Sequence, residues 1–295
     1  MWIYLALIST VVFWGGTFAA GRLIAQDVSP FTAAFLRFLI ASICLILLVL
    51  RRQKQWPDIS KKDILPLALL GLTGIALYNG FFFMGLKRIE ASRASLIVAT
   101  APVIITILSA LIYHEKLTFL KVTGILLSFS GASLVIARGN WQAFLNGSIG
   151  LGELYIGVCV IRWAIYTIVG KNLLKRISPI VAVMYSSLFG MLFLMPFALF
   201  EGLVFQIQKT SLLNWLGIGY LGVFGTVLGF VWYYRGVKVI GPIRASIFIN
   251  FVPVSAILIS WLFLNEVITS SLIFGGLFVL TGVLLTNYRP KTEVS

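Results

Sequence analysis

The chain has 295 residues, of which 60% are hydrophobic and 11% charged, with a formal net charge of +14 and two cysteines. That balance lies far from a soluble globular average and excludes a water-exposed enzyme domain. It excludes a nucleic-acid partner as well, because the basic residues stand in short gaps between long apolar runs, where they set orientation in a bilayer.

Ten apolar runs recur at about 3–25, 30–50, 64–86, 92–113, 118–137, 149–170, 180–201, 212–235, 243–264 and 270–288. Each is long enough to cross a hydrocarbon core of about 30 Å. The runs are continuous rather than alternating, so the spans are helices, since only helices and closed barrels satisfy a backbone in lipid. With the N-terminus inside, the inner gaps and tail carry fifteen Lys and Arg against six in the outer gaps, which predicts both termini in the cytoplasm. The expected class is an all-α integral membrane protein in the plasma (inner) membrane, its other partner a small-molecule substrate, as monomer or homodimer.

The first span lacks a basic leader region and is followed at once by another span, so it reads as a helix and not a cleaved signal. It carries Trp14-Gly15-Gly16-Thr17 near its middle, where two glycines allow close approach of a neighbouring helix or of a ligand. The second starts at Pro30, a comfortable first helical position. Seven residues on, about 10 Å into the span, comes Arg37. An arginine at that depth either snorkels to the headgroups or faces protein, water or a counter-charge. No carboxylate lies at matching depth, leaving a bound anion or backbone carbonyls as partners. The third span ends in aromatics; Tyr78 and Asn79 sit deeper than an interfacial belt, as does Phe230 in the eighth span.

The fourth and ninth spans each have a proline near the midpoint, Pro102 and Pro253. Each removes the hydrogen bond to the carbonyl four residues back, leaving Val98 and Ile249 free, and kinks the helix. Free acceptors at membrane depth are tolerated only beside protein or a wet cavity, and paired interruptions in two repeats point to a transporter binding site. Asn250 lies beside the second break. Glu115 and Glu266 precede Thr118 and Thr269 at the starts of the fifth and tenth spans, which suits N-capping and the helix dipole better than proton coupling. Gly124/Gly131 and Gly275/Gly282 are seven apart on one face and read as helix packing. Gly139 to Ser148 is a polar linker whose Asn146-Gly147-Ser148 sequon is discounted. The sixth span brings Glu153, Arg162, Trp163 and Tyr166, with Glu153 too far from Arg162 to pair easily. Pro196 reads as local, and Cys44 and Cys159 as buried packing.

The chain repeats itself. Shifted by 151, Leu70-Gly71 falls on Leu221-Gly222, Gly74 on Gly225, Arg93-Ala94-Ser95 on Arg244-Ala245-Ser246, Pro102-Val103 on Pro253-Val254 and Glu115 on Glu266. Upstream the shift is 149, and Trp14 meets Trp163 while Ser29-Pro30 meets Ser178-Pro179. The expected organisation is a first repeat at 1–138, a linker at 139–148, a second repeat at 149–288 and a tail at 289–295. Five spans per copy is an odd number, so the copies enter the membrane in opposite directions as inverted five-helix repeats, and alternating access follows.

Trp14-Gly15-Gly16, Pro30 with Arg37, Arg93-Ala94-Ser95, Pro102, Glu115, Gly124 and Gly131 carry a family resemblance. In the second copy Gly152-Glu153, Trp163-Ala164, Glu266, Gly275 and Gly282 extend it. Over about residues 3–288 the chain resembles the ten-helix, two-domain EamA-type members of the drug/metabolite transporter superfamily. The resemblance implies a central cavity lined by spans 1, 3, 4, 6, 8 and 9, with spans 5 and 10 outside it. Its members move amino acids, other metabolites and some drugs. Arg162 departs from the small or apolar residue expected beside the tryptophan, marking an anionic substrate or a local variation.

The expected function is a secondary transporter of small organic metabolites, amino acids or related carboxylates and drugs among them, working outward by alternating access. The substrate-binding candidates are Trp14, Thr17, Arg37, Tyr78, Asn79, Val98, Arg162, Trp163, Tyr166, Phe230, Ile249 and Asn250, with Pro102 and Pro253 as gating kinks. Arg37 and Arg162 would hold a carboxylate. The absence of a mid-membrane Asp or Glu favours facilitated diffusion or exchange over a proton relay. An enzyme is not expected, because His114 is the only histidine and no metal-ligand spacing, phosphate loop or triad is present; no cofactor is expected either. The alternatives are a channel-like facilitator and a membrane scaffold or sensor without transport.

Overall fold

A computed structural model describes residues 2–113, 118–138, 150–240 and 248–287, and the secondary structure among them is entirely helical. The first copy comprises α1 (Trp2–Asp27), α2 (Pro30–Gln53), α3 (Lys61–Leu70), α4 (Tyr78–Leu86), α5 (Ala91–Val98), α6 (Ala101–Tyr113) and α7 (Phe119–Ala137). The second comprises α8 (Leu151–Leu173), α9 (Pro179–Phe200), α10 (Leu203–Lys209), α11 (Leu212–Tyr220), α12 (Gly229–Ile240), α13 (Val252–Leu264) and α14 (Ser270–Asn287). Among the described residues, eight helical segments are long and apolar enough to cross a membrane, while Val252–Leu264 and Ser270–Thr286 are shorter apolar helices. Their outer faces expose Phe119, Leu126, Leu262 and Phe274, a surface that suits lipid and not water. The linker 139–148, its sequon, His114, Glu115, Arg244-Ala245-Ser246 and the tail lie outside the described residues.

Equivalent elements of the two copies make equivalent contacts. α2 packs on α9, two helices that begin at the matched prolines Pro30 and Pro179. α1 packs on α12 and α13, as α8 packs on α4 and α6. Pro196 lies inside α9 without ending it. α7 pairs with α14 through the glycines the sequence placed on one face: a Cβ at Gly124 would lie 2.6 Å from the Gly282 carbonyl oxygen, and one at Gly131 2.6 Å from that of Gly275. Nothing larger than hydrogen fits where two backbones meet in this way. Gly15 likewise abuts Ser255 and Ala256 of α13, and Gly16 abuts Tyr220, so packing accounts for the first-span glycine pair.

One feature had no counterpart in the sequence reading. Between α3 and α4 the chain is π-helical over Gly71–Leu77, and between α11 and α12 over Leu221–Leu228. π-Turns open the regular i→i−4 ladder and concentrate at functional sites. Here they occupy matched positions of the two repeats, around Gly74 and Gly225.

Candidate functional site

The π-helical stretches leave carbonyls that side chains take up. The Trp14 indole Nε1–H donates to Gly225 C=O at 2.9 Å, the Asn79 amide to Ile75 C=O at 2.9 Å, and the Thr226 hydroxyl to Leu221 C=O at 3.0 Å. Two of these groups also accept from Arg37: its Nη1 donates to Asn79 Oδ1 at 2.9 Å and its Nε to Thr226 Oγ1 at 3.2 Å. Arg37 therefore does not snorkel. It is 5% exposed and has no carboxylate partner among the described residues. The sequence reading named a bound anion or backbone carbonyls as its partners; a neutral amide and a hydroxyl hold it instead. A guanidinium carries five donors, so these two bonds leave capacity toward the space it faces.

That space is a cavity of about 270 Å³, just below the roughly 300–1,000 Å³ usual for small-molecule pockets. α1 contributes Trp14, Thr17 and Phe18, and α2 contributes Arg37. The third span adds Gly74, Tyr78, Asn79 and Phe82. Ser95, Val98 and Pro102 come from α5 and α6, Trp163 and Thr167 from α8, Phe230 and Tyr233 from α12. Ile249, Asn250, Val252 and Pro253, at and just before the start of α13, close the ring. One wall is aromatic. The Trp14 ring lies edge-on to Trp163 at 6.2 Å and to Phe230 at 5.5 Å, and tilted to Tyr233 at 5.4 Å, with Tyr78 5.7 Å from Trp163. Such offset arrangements suit ring quadrupoles.

Both proline breaks border this cavity. α5 ends at Val98 and α6 resumes at Ala101, and in the ninth span α13 begins at Val252. Pro102 and Pro253 have no N–H for the Val98 and Ile249 carbonyls, and no backbone donor among the described residues replaces them. Beside the second break, Asn250 is 6% exposed and its Nδ2 has no partner among the described residues.

Two sequence candidates stand apart. Arg162 does not line the cavity; it is half-buried on α8 with its Nε unpartnered among the described residues. Tyr166 lies behind the wall, stacked on Trp163 at 5.3 Å and packed against Gly74. Residues the sequence reading missed are Thr226, which shares Arg37 with Asn79, and Tyr233, Thr167 and Ser95. Thr226 lies one residue after Gly225, the repeat partner of Gly74, which is the signal that could have found it. Cys159 Sγ–H donates to Tyr78 C=O at 3.3 Å, a packing role.

One acid acts otherwise than expected. Glu266 does not cap the helix that follows it; its carboxylate accepts from Ala91 N–H at 2.8 Å, Ser92 N–H at 3.0 Å and the Ser92 hydroxyl, at the start of α5 in the other copy. Thr269 does receive Leu272 N–H, at 3.3 Å, and Thr118 receives Lys121 N–H, at 3.4 Å. Glu153 is ion-paired with Arg93 at 2.8 Å, both buried. No group of three or more potential metal ligands occurs among the described residues.

The EamA-like transporter family model matches residues 1–137 and 150–288. The "uncharacterized transporter YetK" of Bacillus subtilis is 30% identical over 291 residues, 99% of this chain and 88% of that protein. An uncharacterized transporter of Archaeoglobus fulgidus is 32% identical over 96% of each chain. A probable terminal-alkyne amino-acid exporter of Streptantibioticus cattleyicolor is 27% identical over 96% of this chain and 93% of its own. A solved crystal structure shares the fold, with a TM-score of 0.63 at 18% identity over 96% of each chain.

Proposed function

Because this chain belongs to the EamA-like transporter family, we propose that it is a secondary transporter of small organic carboxylates, amino acids and related drugs among them, working outward by alternating access. The protein is a multi-pass membrane transporter; solute, direction and mechanism are the proposal. One observation carries it. Arg37 is a buried guanidinium at the wall of a cavity, held by two neutral side chains and without a carboxylate of its own among the described residues. A charge so placed is costly unless something neutralises it, and a substrate carboxylate does so with the bidentate geometry a guanidinium favours. The aromatic wall would receive an apolar side chain, and the free Val98 and Ile249 carbonyls would accept from a substrate ammonium. Trp14, Thr17, Tyr78, Asn79, Trp163, Phe230 and Asn250 would complete the site. Arg162, which is not among the lining residues, takes no part.

The mechanism rests on ten spans arranged as two inverted five-helix repeats, 1–138 and 149–288, with both termini cytoplasmic in the plasma membrane. The odd number of spans per copy, the matched π-helical stretches and the matched proline breaks support that arrangement. Exchanging the conformations of the halves would open the cavity alternately to each side. The absence of a carboxylate among the cavity-lining residues favours facilitated diffusion or exchange over a proton relay.

The test is flux in proteoliposomes with a labelled panel of amino acids, organic anions and uncharged analogues. Saturation, counterflow and preference for carboxylates are expected. Flux without saturation or counterflow would make the protein a channel-like facilitator. Equal flux of carboxylates and their amides would remove the role given to Arg37.

A further inference from the structure

Polar ties join the copies at both ends of the bundle: Arg176 pairs with Asp63, and Tyr185 meets Trp56 and the Pro57 carbonyl, at one end, while a second group surrounds the starts of α2 and α5 at the other. Glu201 at the end of α9 accepts from Thr32 N–H at 2.8 Å and Phe31 N–H at 3.3 Å at the start of α2. Gln206 accepts from Ser29 N–H at 2.8 Å, and Asn214 donates to Asp27 at 2.9 Å. Arg22 donates to Leu86 C=O, which brings the end of the third span to the same place. The first turn of α5 is held hardest, by two carboxylates that both belong to the second copy. Glu266 accepts from Ala91 N–H, Ser92 N–H and the Ser92 hydroxyl, and Glu153 is ion-paired with Arg93.

A helix start that needed only a cap has one to hand. Glu90 occupies the N-cap position of α5, yet its side chain makes no cap hydrogen bond. Carboxylates 60 and 175 positions away in the chain are used instead. The grip also sits next to the site: Ser95 lies one turn below Ala91, about 6 Å along the axis, and both Ser95 and Val98 line the cavity. Beyond Val98 two turn residues interrupt the regular winding before α6 resumes at Ala101, so α5 is a short segment with the grip at one end and the cavity along its side.

We propose that Glu153 and Glu266 form a two-carboxylate latch on the first turn of α5, which keeps this end of the cavity shut and must release for the cavity to open there. The latch is a positioning device that acts through α5 and touches no substrate. The proposal rests on the alternating-access reading above, and its labelling test needs no substrate, so an incorrect solute class leaves that test intact.

The experiment places one reporter cysteine at Ser95 in a Cys44→Ser, Cys159→Ala background and applies a membrane-impermeant maleimide from the face that carries Ala91. With the latch intact, labelling from this face is expected to be slow. Glu153→Gln with Glu266→Gln is expected to accelerate it by about tenfold or more, because charge-assisted bonds are lost from the closed state alone. Labelling from the opposite face should slow in parallel. An unchanged rate from the Ala91 face in a folded double variant would overturn the latch. Should that variant not fold, a second measurement decides. Ser92→Cys and Glu266→Cys are joined by a reducible bifunctional thiol reagent. Loss of counterflow on joining and its return on reduction support the latch, whereas counterflow that continues through the joined protein overturns it.

Discussion

Replacing Arg37 by glutamine removes the charge and keeps an amide at about the position of the Nε that meets Thr226, while the bond from Nη1 to Asn79 is lost. Truncating one partner of a desolvated, hydrogen-bonded charge pair costs about 2–5 kcal/mol, and at about 1.4 kcal/mol per factor of ten this amounts to roughly 30-fold to several thousand-fold in affinity for a carboxylate solute. The effect on the fold should run the other way. The guanidinium is 5% exposed and has two neutral partners, Asn79 Oδ1 and Thr226 Oγ1, and a buried charge paired this weakly contributes nothing net to stability. The solute-free Arg37→Gln protein is therefore expected to melt at or above the wild-type temperature while its KM for a carboxylate rises at least about 30-fold. Counterflow in proteoliposomes gives the first number, and thermal unfolding in detergent gives the second. A KM within about twofold of wild type, or a collapse in melting temperature, would refute the reasoning, the latter by assigning Arg37 a structural role.

Arg162→Ala, by contrast, should leave KM within about twofold, since Arg162 does not line the cavity; the same counterflow assay separates the two arginines. Trp14→Phe keeps a ring against Trp163 but strands the Gly225 carbonyl, which the indole N–H satisfies at 2.9 Å. A loss of about 1–3 kcal/mol in melting or solute-binding measurements is expected. Gly131→Ala drives a methyl toward a backbone oxygen 2.6 Å away on α14. It should destabilise the protein by about 1–3 kcal/mol without changing KM, as checked by melting and counterflow on the folded fraction.

The parts of this protein that were legible in sequence are those written locally or twice. Pro102 and Pro253 mark interruptions because they recur at matched positions of the two copies, and the glycines of α7 and α14 announce a flat face by their spacing alone. Arg37 stood out because its depth follows from counting residues after Pro30. Its partners did not, because Asn79 and Thr226 come from chain segments 42 and 189 positions away. The same distance hid the destination of Glu266, whose neighbouring Thr269 offered a local explanation that holds for the threonine and not for the acid. Glu153 was weighed only against Arg162 on its own helix, whereas Arg93 reaches it from another. The π-helical stretches had no signal in hydropathy, which does not distinguish one helical winding from another. Depth along the span singles out Arg162 but not the side it faces: successive residues on a helix point about 100° apart, and Trp163 lines the cavity where Arg162 does not.

The winding of Gly71–Leu77 and Leu221–Leu228 has a consequence for how such a protein can diversify. A π-turn behaves as an α-helix with a residue inserted and absorbed locally, so losing a single residue there would restore the tighter coil while leaving the helix beyond it in place. The widened turns whose carbonyls now meet Trp14, Asn79 and Thr226 would close, and the wall behind Arg37 would change shape with no other lining residue exchanged. Codon-sized deletions at these two places, rather than point substitutions, thus offer descendants a local dial for changing what they carry.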